Sequence, residues 1–265
     1  MVTNTAINVI TVPAFHDNYL WLFHIAGQSS AYIVDPGDAV PVLQALRDHQ
    51  LQLEGILITH HHPDHTGGID ALLKHHKVPV YGPAGGSVAQ VSHPLKEGDR
   101  VNITPELTFE VLAVPGHTLD HIAYFADPGF DAPLLFCGDT LFAGGCGRLF
   151  EGSAAQMYES LNKFARLPGA TRVYCAHEYT LSNLAFAKAV ESDNTELLAR
   201  IEQAQATRDQ GLPTVPTTID LEKATNPFMR SQIASVKLAA ERHSGQPLPG
   251  PAEVLGAIRR WKDQF

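Results

Sequence analysis

Thr59-His60-His61-His62-Pro63-Asp64-His65 is the stretch that says most about the fold and the chemistry of this chain. It combines imidazole and carboxylate side chains within one turn-sized segment. The apolar run Gly55-Ile56-Leu57-Ile58 comes directly before it and predicts a buried strand. Pro63 fixes its own φ and so stiffens the turn. Because a strand that ends in a rigid loop can preorganise ligands, the stretch predicts metal-dependent chemistry.

Composition and charge limit the other classes of function. The 265 residues are 44% hydrophobic and 18% charged, which is typical of a globular protein with one large or two smaller domains. The formal net charge of -9 argues against a nucleic-acid partner. The N-terminus lacks the features of a secretory signal, and no apolar stretch approaches the roughly 20 residues that span a bilayer. We therefore expect a cytoplasmic protein that binds no membrane, and nothing favours an obligate assembly over a monomer.

The three cysteines are Cys137, Cys146 and Cys175. An odd and sparse count does not support a disulfide scaffold and fits a reducing compartment. We expect these side chains to be small buried hydrophobic groups.

The character of the chain changes near His177. Before it, β-branched and aromatic runs predict strands over residues 7–12, 19–25, 31–34, 53–58, 78–81, 107–114, 121–126, 133–137 and 171–175. Helical spacing occurs there over 40–49 and 154–167, with Ser153 as the N-cap of the second helix. After it, helices are predicted over 181–190, 195–208, 228–243 and 252–261. We expect a strand-rich domain at 1–176 and a helical domain at 177–265.

Three more ligand candidates follow predicted strands. They are His117, Asp139 and His177, and a glycine or alanine precedes each of them. Functional side chains cluster in the loops after strands, at one edge of a sheet. Together with the opening stretch, these loops supply enough imidazoles and carboxylates for two metal ions.

Spacing divides these candidates into two sets. His60 and His62 are two residues apart, so they face the same side of an extended segment. With His117 they form a three-histidine site that leaves a position open for water, as catalytic zinc sites do. His61 points the other way and is not expected to be a ligand.

The second set consists of Asp64, His65 and His177, and Asp139 can bridge both ions with its two carboxylate oxygens. Imidazole and carboxylate ligands suit zinc first, with iron or manganese as alternatives. A chance cluster is the competing interpretation for the isolated histidines, which are His24, His49, His75, His76, His93 and His243. It is weak for the opening stretch, because the other candidates all follow strands.

The spacing of these ligands resembles that of the metallo-β-lactamase superfamily. Four longer stretches, at 136–148, 174–180, 226–230 and 259–265, resemble the hydroxyacylglutathione hydrolase (glyoxalase II) family over nearly the whole chain. The resemblance implies an α/β fold, with a four-layer αββα metallo-β-lactamase sandwich followed by an all-helical C-terminal domain that binds substrate.

The resemblance also implies an activity. A member of this family is a thioester hydrolase that converts S-D-lactoylglutathione, or another S-2-hydroxyacylglutathione, to the 2-hydroxy acid and glutathione. This is the second step of methylglyoxal detoxification. A hydroxide that bridges the two metal ions would be the nucleophile. Asp64 and Asp139 are the expected catalytic carboxylates, with Asp64 orienting that hydroxide.

Glutathione carries two carboxylates, which an acidic protein must bind through local cations. Arg259 and Lys262 are three apart on a predicted helix and share one face. Their ordinary interpretation is a solvated helix end, and only the resemblance makes them a carboxylate clamp together with Arg148. It also implies that Tyr179 donates a hydrogen bond to the glutathione backbone.

Two positions depart from some relatives. Phe150 stands where others have tyrosine, so one hydroxyl contact to glutathione is expected to be missing. Arg148 stands where others have lysine, which keeps the charge but changes the geometry of carboxylate binding.

Three alternatives remain at this point. One is another hydrolase of the same superfamily, such as a lactonase or lactamase. Another is an iron-dependent persulfide dioxygenase on this fold, and the last is a metal-storage protein without enzymatic activity.

Overall fold

The computed structural model describes residues 6–265, and the chain divides into two compact units. The first unit comprises the residues up to Ala113 and Asp120–Gly138, and the second comprises Val114–Leu119 and Asp139–Phe265. These units are defined by contacts within the chain and cut it at other points than the expected domains 1–176 and 177–265. The domain boundaries therefore stay a prediction.

The first unit contains a six-stranded sheet in the order β1-β2-β3-β4-β5-β6. Its strands are β1 Ile7–Ala14, β2 Asn18–Ile25, β3 Ser30–Val34, β4 Gln52–Leu57, β5 Val80–Pro83 and β6 His93–Leu95. The pairs β1–β2 and β2–β3 are antiparallel, while β3 to β6 are parallel. The parallel part places the carboxyl ends of β3 and β4 at one edge, where Asp35 and the opening histidine stretch follow.

A second sheet of the same unit packs face to face on the first. Its strands are β7 Arg100–Thr104, β8 Leu107–Ala113, β9 Ile122–Ala126 and β10 Leu134–Gly138, all antiparallel in chain order. Phe23 on β2 lies 5.4 Å from the Phe109 ring and 5.3 Å from the Phe136 ring, and all three side chains are fully buried. The Tyr124 hydroxyl donates to the Ile58 carbonyl at 2.8 Å. Aromatic residues thus join the two sheets of the sandwich.

Helices cover the other face of the first sheet. They are α1 Ala39–Asp48, the short α2 Pro63–Thr66, and α3 Ile69–His75. Val42 and Leu46 of α1 and Leu72 of α3 belong to one buried cluster with Leu22 and Ile56 of the sheet. The helices bury their apolar stripes there because the sheet offers a matching apolar face.

The second unit is mainly helical. Its helices are α4 Ala154–Ala165, α5 Thr180–Val190, α6 Thr195–Asp209, α7 Ile219–Thr225, α8 Ala234–Ser244 and α9 Pro251–Asp263. It also contains the hairpin of β11 Leu141–Phe142 and β12 Gly145–Cys146, and the antiparallel pair of β13 Arg172–Cys175 and β14 Thr217–Thr218. The helix α4 begins with the predicted cap: Ser153 and Gln156 form a reciprocal capping box.

The predicted strands and helices all occur, and the differences lie in short or irregular segments. The helix predicted over 228–243 begins only at Ala234, since residues 227–233 form turns after Asn226-Pro227. Several elements escaped prediction, and they are α2, α3, α7, β6, β7, β11, β12 and β14. The two-residue strands among them carry no periodic signal. Among the residues that the structure describes, no helix is long and apolar enough to cross a membrane.

Candidate metal centre

Strand β4 leads the chain directly into the ligand candidates of the first unit. The helix α2 then begins with Pro63 in its first turn, so the opening stretch is bent sharply. His60 and His65 are buried, and their ring centroids lie 4.1 Å apart. The Nε2 atom of His60 lies 3.1 Å from the Nδ1 atom of His62. The structure therefore brings the rings of His60, His62 and His65 close together.

Asp35 fixes the orientation of two of these residues. It follows β3, is 3% exposed and adopts a φ of 50°, an unusual conformation for a residue other than glycine. Its carboxylate accepts hydrogen bonds from the Thr59 amide at 2.7 Å, the Thr59 hydroxyl at 2.7 Å and the Nδ1 atom of His65 at 3.0 Å. The sequence left open whether Asp35 orients a histidine or only occupies a turn. The structure shows that it orients one.

The hydrogen bonds define which ring nitrogens carry lone pairs. An ionised carboxylate only accepts, so the Nδ1 atom of His65 is protonated and Nε2 has the lone pair in the neutral ring. That Nε2 atom lies 3.5 Å from a carboxylate oxygen of Asp64. The Thr59 hydroxyl gives its proton to Asp35, so it accepts from Nδ1 of His60 at 3.1 Å. The Nε2 atom of His60 then carries the lone pair and faces Nδ1 of His62 at 3.1 Å.

The ligand candidates of the second unit are arranged around one carboxylate. The same oxygen of Asp139, Oδ2, lies 3.5 Å from Nε2 of His117 and 3.5 Å from Nε2 of His177. The Nδ1 atom of His117 donates to the carbonyl of Arg148 at 2.8 Å, which again leaves the lone pair on Nε2. All three side chains are buried, with exposures of 4 to 6%.

This donor set fits divalent metal ions. A lone-pair nitrogen that faces a carboxylate oxygen at 3.5 Å is repelled unless a cation or a proton lies between them. Two separate histidines, His65 and His117, have this geometry. Imidazole and carboxylate together are ligands for zinc, iron and manganese.

His61 lies apart from the ring nitrogens that converge. Its Nδ1 atom is 2.9 Å from the carboxylate of Asp120, and its side chain is 29% exposed. The prediction that His61 is not a ligand remains a prediction.

Tyr179 lies against a ligand candidate. Its ring stacks on that of His177 at 4.7 Å with an interplanar angle of 6°, and Phe142 packs edge-on against both rings. Tyr179 is 37% exposed.

Two of the three predicted cations, Arg148 and Arg259, contact Asp263, and these two differ in exposure. The Arg148 side chain is 67% exposed, and its Nε atom lies 3.7 Å from the Asp263 carboxylate. Arg259 is 4% exposed, donating to the Cys146 carbonyl at 2.7 Å and to Asp263 at 3.1 Å. Lys262 lies with its Nζ atom 5.3 Å from the Phe186 ring centroid. Burial, aided by the nearby Arg259 guanidinium, lowers the pKa of Lys262 to about 8.

Phe150 lies next to a ligand candidate as well. Its ring packs edge-on against His117 at 5.2 Å, and its side chain is 63% exposed. This aromatic contact does not need the hydroxyl that a tyrosine would add.

Sequence reasoning missed four residues that shape the site. Asn18 donates to the Asp64 carboxylate at 3.0 Å, and Thr59 connects Asp35 to His60. A Cβ on Gly138 would lie 2.4 Å from the Thr59 hydroxyl, and one on Gly147 would lie 2.0 Å from the Asp139 carbonyl. Gly138 precedes the predicted ligand Asp139, and Gly147 precedes the predicted substrate-binding residue Arg148, so a glycine beside a predicted site residue was the available signal.

Comparison with known proteins agrees with this geometry. A family model of the metallo-beta-lactamase superfamily matches residues 20–177, and a model of the hydroxyacylglutathione hydrolase C-terminus matches residues 178–265. The hydroxyacylglutathione hydrolase of Alkalilimnicola ehrlichii is 56% identical over 257 residues, which cover 97% of this chain and 98% of that protein. The one from Pseudomonas aeruginosa is 51% identical over 260 residues, covering 98% of this chain and 100% of the relative.

Solved structures share the fold. ETHE1 from Myxococcus xanthus superposes with a TM-score of 0.65 at 25% identity, covering 97% of this chain and 98% of that one. TTHA1623 in a di-iron-bound form gives a TM-score of 0.58 at 26% identity, covering 83% and 99%.

The predicted fold is thereby confirmed, with a metallo-β-lactamase domain followed by the helical C-terminal domain of one enzyme family. With its sets of histidine and aspartate, this fold implies that the chain binds divalent metal. The identity of 50 to 56% to relatives that match almost end to end leads to one conclusion: the chain belongs to the hydroxyacylglutathione hydrolase family.

Proposed function

We infer that this chain hydrolyses the thioester bond of S-2-hydroxyacylglutathiones. Its substrate is S-D-lactoylglutathione and its products are D-lactate and glutathione, which is the second step of methylglyoxal degradation. The observation that carries this inference is the match over the helical C-terminal region as well as the metal-binding fold. A lactonase, lactamase or dioxygenase would explain the metallo-beta-lactamase match over residues 20–177, but not the match to the hydroxyacylglutathione hydrolase C-terminus over residues 178–265.

We propose that the chain holds two divalent ions, with zinc as the first candidate and iron or manganese as alternatives. His60, His62 and His117 would hold one ion, and Asp64, His65 and His177 the other. Asp139 would contribute its carboxylate to both. When bound, such ions supply Lewis acidity, which makes water a nucleophile near neutral pH and polarises a carbonyl.

The chain's own residues then orient the reacting groups. Asn18 holds one carboxylate oxygen of Asp64, which supports a role for Asp64 in orienting the attacking water. The leaving group is a thiolate with a pKa of about 8.5, so no strong general acid is needed. That agrees with a proposed catalytic set of only Asp64 and Asp139.

Recognition of the glutathione part falls to the second unit. We assign Arg148 and Lys262 to the glycine carboxylate, and the Tyr179 hydroxyl to the peptide backbone. Arg259 completes the clamp, and its bonds to Cys146 and Asp263 hold it in a fixed position. The exposure of Arg148 and Tyr179 supports this assignment.

Three further proposals concern organisation. Residues 1–176 form the catalytic domain and 177–265 the substrate-binding domain, in line with the two family matches. The three cysteines are free and buried, which supports a cytoplasmic location. We propose a monomer whose partner is the small thioester, without nucleic acid or membrane.

A paired rate assay tests the function. The purified protein is assayed on S-D-lactoylglutathione and on the lactoyl thioester of N-acetylcysteamine, with metal analysis of the same sample. Fast hydrolysis of the first alone is the expected result. Equal rates on both would contradict recognition of glutathione, and oxygen consumption without hydrolysis would point to a dioxygenase.

A further inference from the structure

The β11–β12 hairpin connects several parts of the candidate site. Asp139 comes just before it and Arg148 just after it. Phe142 on its first strand packs against His177 and Tyr179, and the carbonyl of Cys146 on its second strand accepts from Arg259. A shift of this hairpin would move both the metal-binding and the substrate-binding groups.

The hydrogen bonds between its own two strands are too few to stabilise this hairpin. Its strands are two residues each and pair only through Leu141–Cys146 and Phe142–Gly145. Isolated two-stranded hairpins are marginally stable even at greater length. Its turn is instead held by side chains from three positions outside it.

One of these side chains is the carboxylate of Glu222 on α7, which is fully buried. One of its oxygens, Oε2, accepts from the Gly144 amide at 2.9 Å and from Asn226 at 2.8 Å. The other, Oε1, accepts from the Thr217 hydroxyl at 2.6 Å and is paired with Arg200. Each oxygen of the Glu222 carboxylate therefore has two donors.

Asn226 and Asn183 bind the remaining backbone groups of the turn. The Asn226 amide donates to the carbonyls of Gly145 at 2.9 Å and Phe142 at 3.3 Å, while Asn183 on α5 donates to that of Ala143 at 3.0 Å. The turn thus receives one acceptor and three donor contacts from buried side chains. The turn is buried, so its backbone groups need partners, and these side chains supply them in place of a longer strand pairing.

We propose that Glu222, together with Asn226, is a positioning residue of the active site that fixes the hairpin and, through it, Asp139 and Arg148. This inference rests on the proposed function. A buried carboxylate with four donors gives directional control that an apolar contact would not, because each hydrogen bond has a narrow geometry. The ion pair with Arg200 involves the other oxygen of Glu222, which does not contact the hairpin.

The first test is the substitution Glu222→Gln, which keeps the volume of the side chain. Arg200 is a donor, so it keeps the amide oxygen of the new glutamine on its own side. The NH₂ group of the glutamine then faces two other donors, the backbone N–H of Gly144 and the side-chain amide of Asn226, and this donor–donor contact displaces the turn. We expect kcat/KM to fall by roughly 100-fold, because a displacement of about 1 Å at a site can cost that much. Both kcat and KM should change, and metal retained against a chelator should fall.

Two further variants separate positioning from stability. Asn183→Ala removes another contact to the turn and should change the same quantities in the same direction. Thr225→Val disturbs the buried network through its bond to Arg200 but touches no hairpin atom. It should lower the unfolding temperature and leave KM and metal retention unchanged.

The outcomes are distinct. A purely structural role lowers the fraction of folded enzyme, which lowers the apparent kcat but leaves KM as in wild type. Unchanged KM and metal retention in both hairpin variants, or equal changes in Thr225→Val, would overturn the proposal. If Glu222→Gln does not fold, Asn183→Ala decides. An inactive wild type would refute the proposed function instead, and metal retention would still test the positioning role.

Discussion

At the scale of single residues, hydrogen bonds determine which ring nitrogen of each candidate ligand histidine carries the proton. Asp35 accepts from His65 and Thr59, and the carbonyl of Arg148 accepts from His117. Each contact places a proton on Nδ1 and leaves Nε2 as the nitrogen that can bind. The candidate ligands were predicted from their spacing after strands. The contacts of Asn18 with Asp64 and of Thr59 with Asp35 could not be predicted, since a single amide or hydroxyl carries no signal of a partner distant in sequence.

The substitution Asp35→Asn should weaken metal binding. An amide can accept from only one side, so its NH₂ group would face either Thr59 or the Nδ1 proton of His65. We expect the affinity for metal to fall by about 10- to 100-fold, as for other residues that orient ligands. Competition with a chromogenic chelator measures this directly. The matched control is Asp38→Asn at the N-cap of α1, and an unchanged affinity in Asp35→Asn would contradict the role.

Lys262 should make substrate binding depend on pH in the alkaline range. Its pKa is lowered to about 8, chiefly by burial, so the ammonium is present below pH 8 and is lost above it. The KM for S-D-lactoylglutathione should therefore rise between pH 8 and 10. In Lys262→Arg the cation stays charged, because guanidinium has a pKa above about 12, and the KM should stay flat. A flat KM in the wild type over this range would remove Lys262 from the clamp.

At the scale of single elements, strands and helices followed their local patterns closely where those patterns were long. The helix α4 begins at the predicted cap, and β2 is buried along almost its whole length. The short β11–β12 hairpin and α7 were missed, because their conformation depends on buried hydrogen bonds to residues distant in sequence. Tertiary contacts, not propensity, decide such segments.

The N-cap of α4 offers a prediction at this scale. The Ser153 hydroxyl accepts from the backbone N–H of Gln156, and the side-chain oxygen of Gln156 accepts in return from the backbone N–H of Ser153 at 2.9 Å. Ser153→Ala removes the serine half of this box and should lower the free energy of unfolding by about 1 kcal/mol. Urea unfolding followed by circular dichroism measures the change. Ser192→Ala, whose hydroxyl bonds only an exposed neighbour, should change it by less than about 0.5 kcal/mol.

For the whole molecule, the order of domains and the fold were predictable from a few strand-end residues and from the change in composition near His177. The division into compact units was not. The short segment Val114–Leu119, which contains His117, belongs to the second unit, whereas the strands before and after it, β8 and β9, belong to the first. The sequence shows where the amino-acid composition of the chain changes, but it does not show which distant segments pack into the same compact unit.

Removal of metal should lower the stability of the whole chain. Ions that bind only the native state raise the free energy of unfolding, by roughly 2.7 kcal/mol when the free metal is 100 times Kd. Scanning calorimetry with and without a chelator should therefore show a lower unfolding temperature for the chelated protein, restored by added zinc. An identical temperature in both samples would mean that the buried histidines and aspartates bind no ion under these conditions.

The contact between His117 and the carbonyl of Arg148 has a consequence for how this enzyme can change. His117, a proposed ligand, is oriented by the main chain at position 148, whereas the side chain at the same position is largely exposed. Any residue at 148 offers the same carbonyl, so the side chain can be exchanged without losing this contact to His117. With the substrate-binding role that we propose for Arg148, position 148 is therefore a site where substrate preference can evolve, or be engineered, while His117 keeps its orientation.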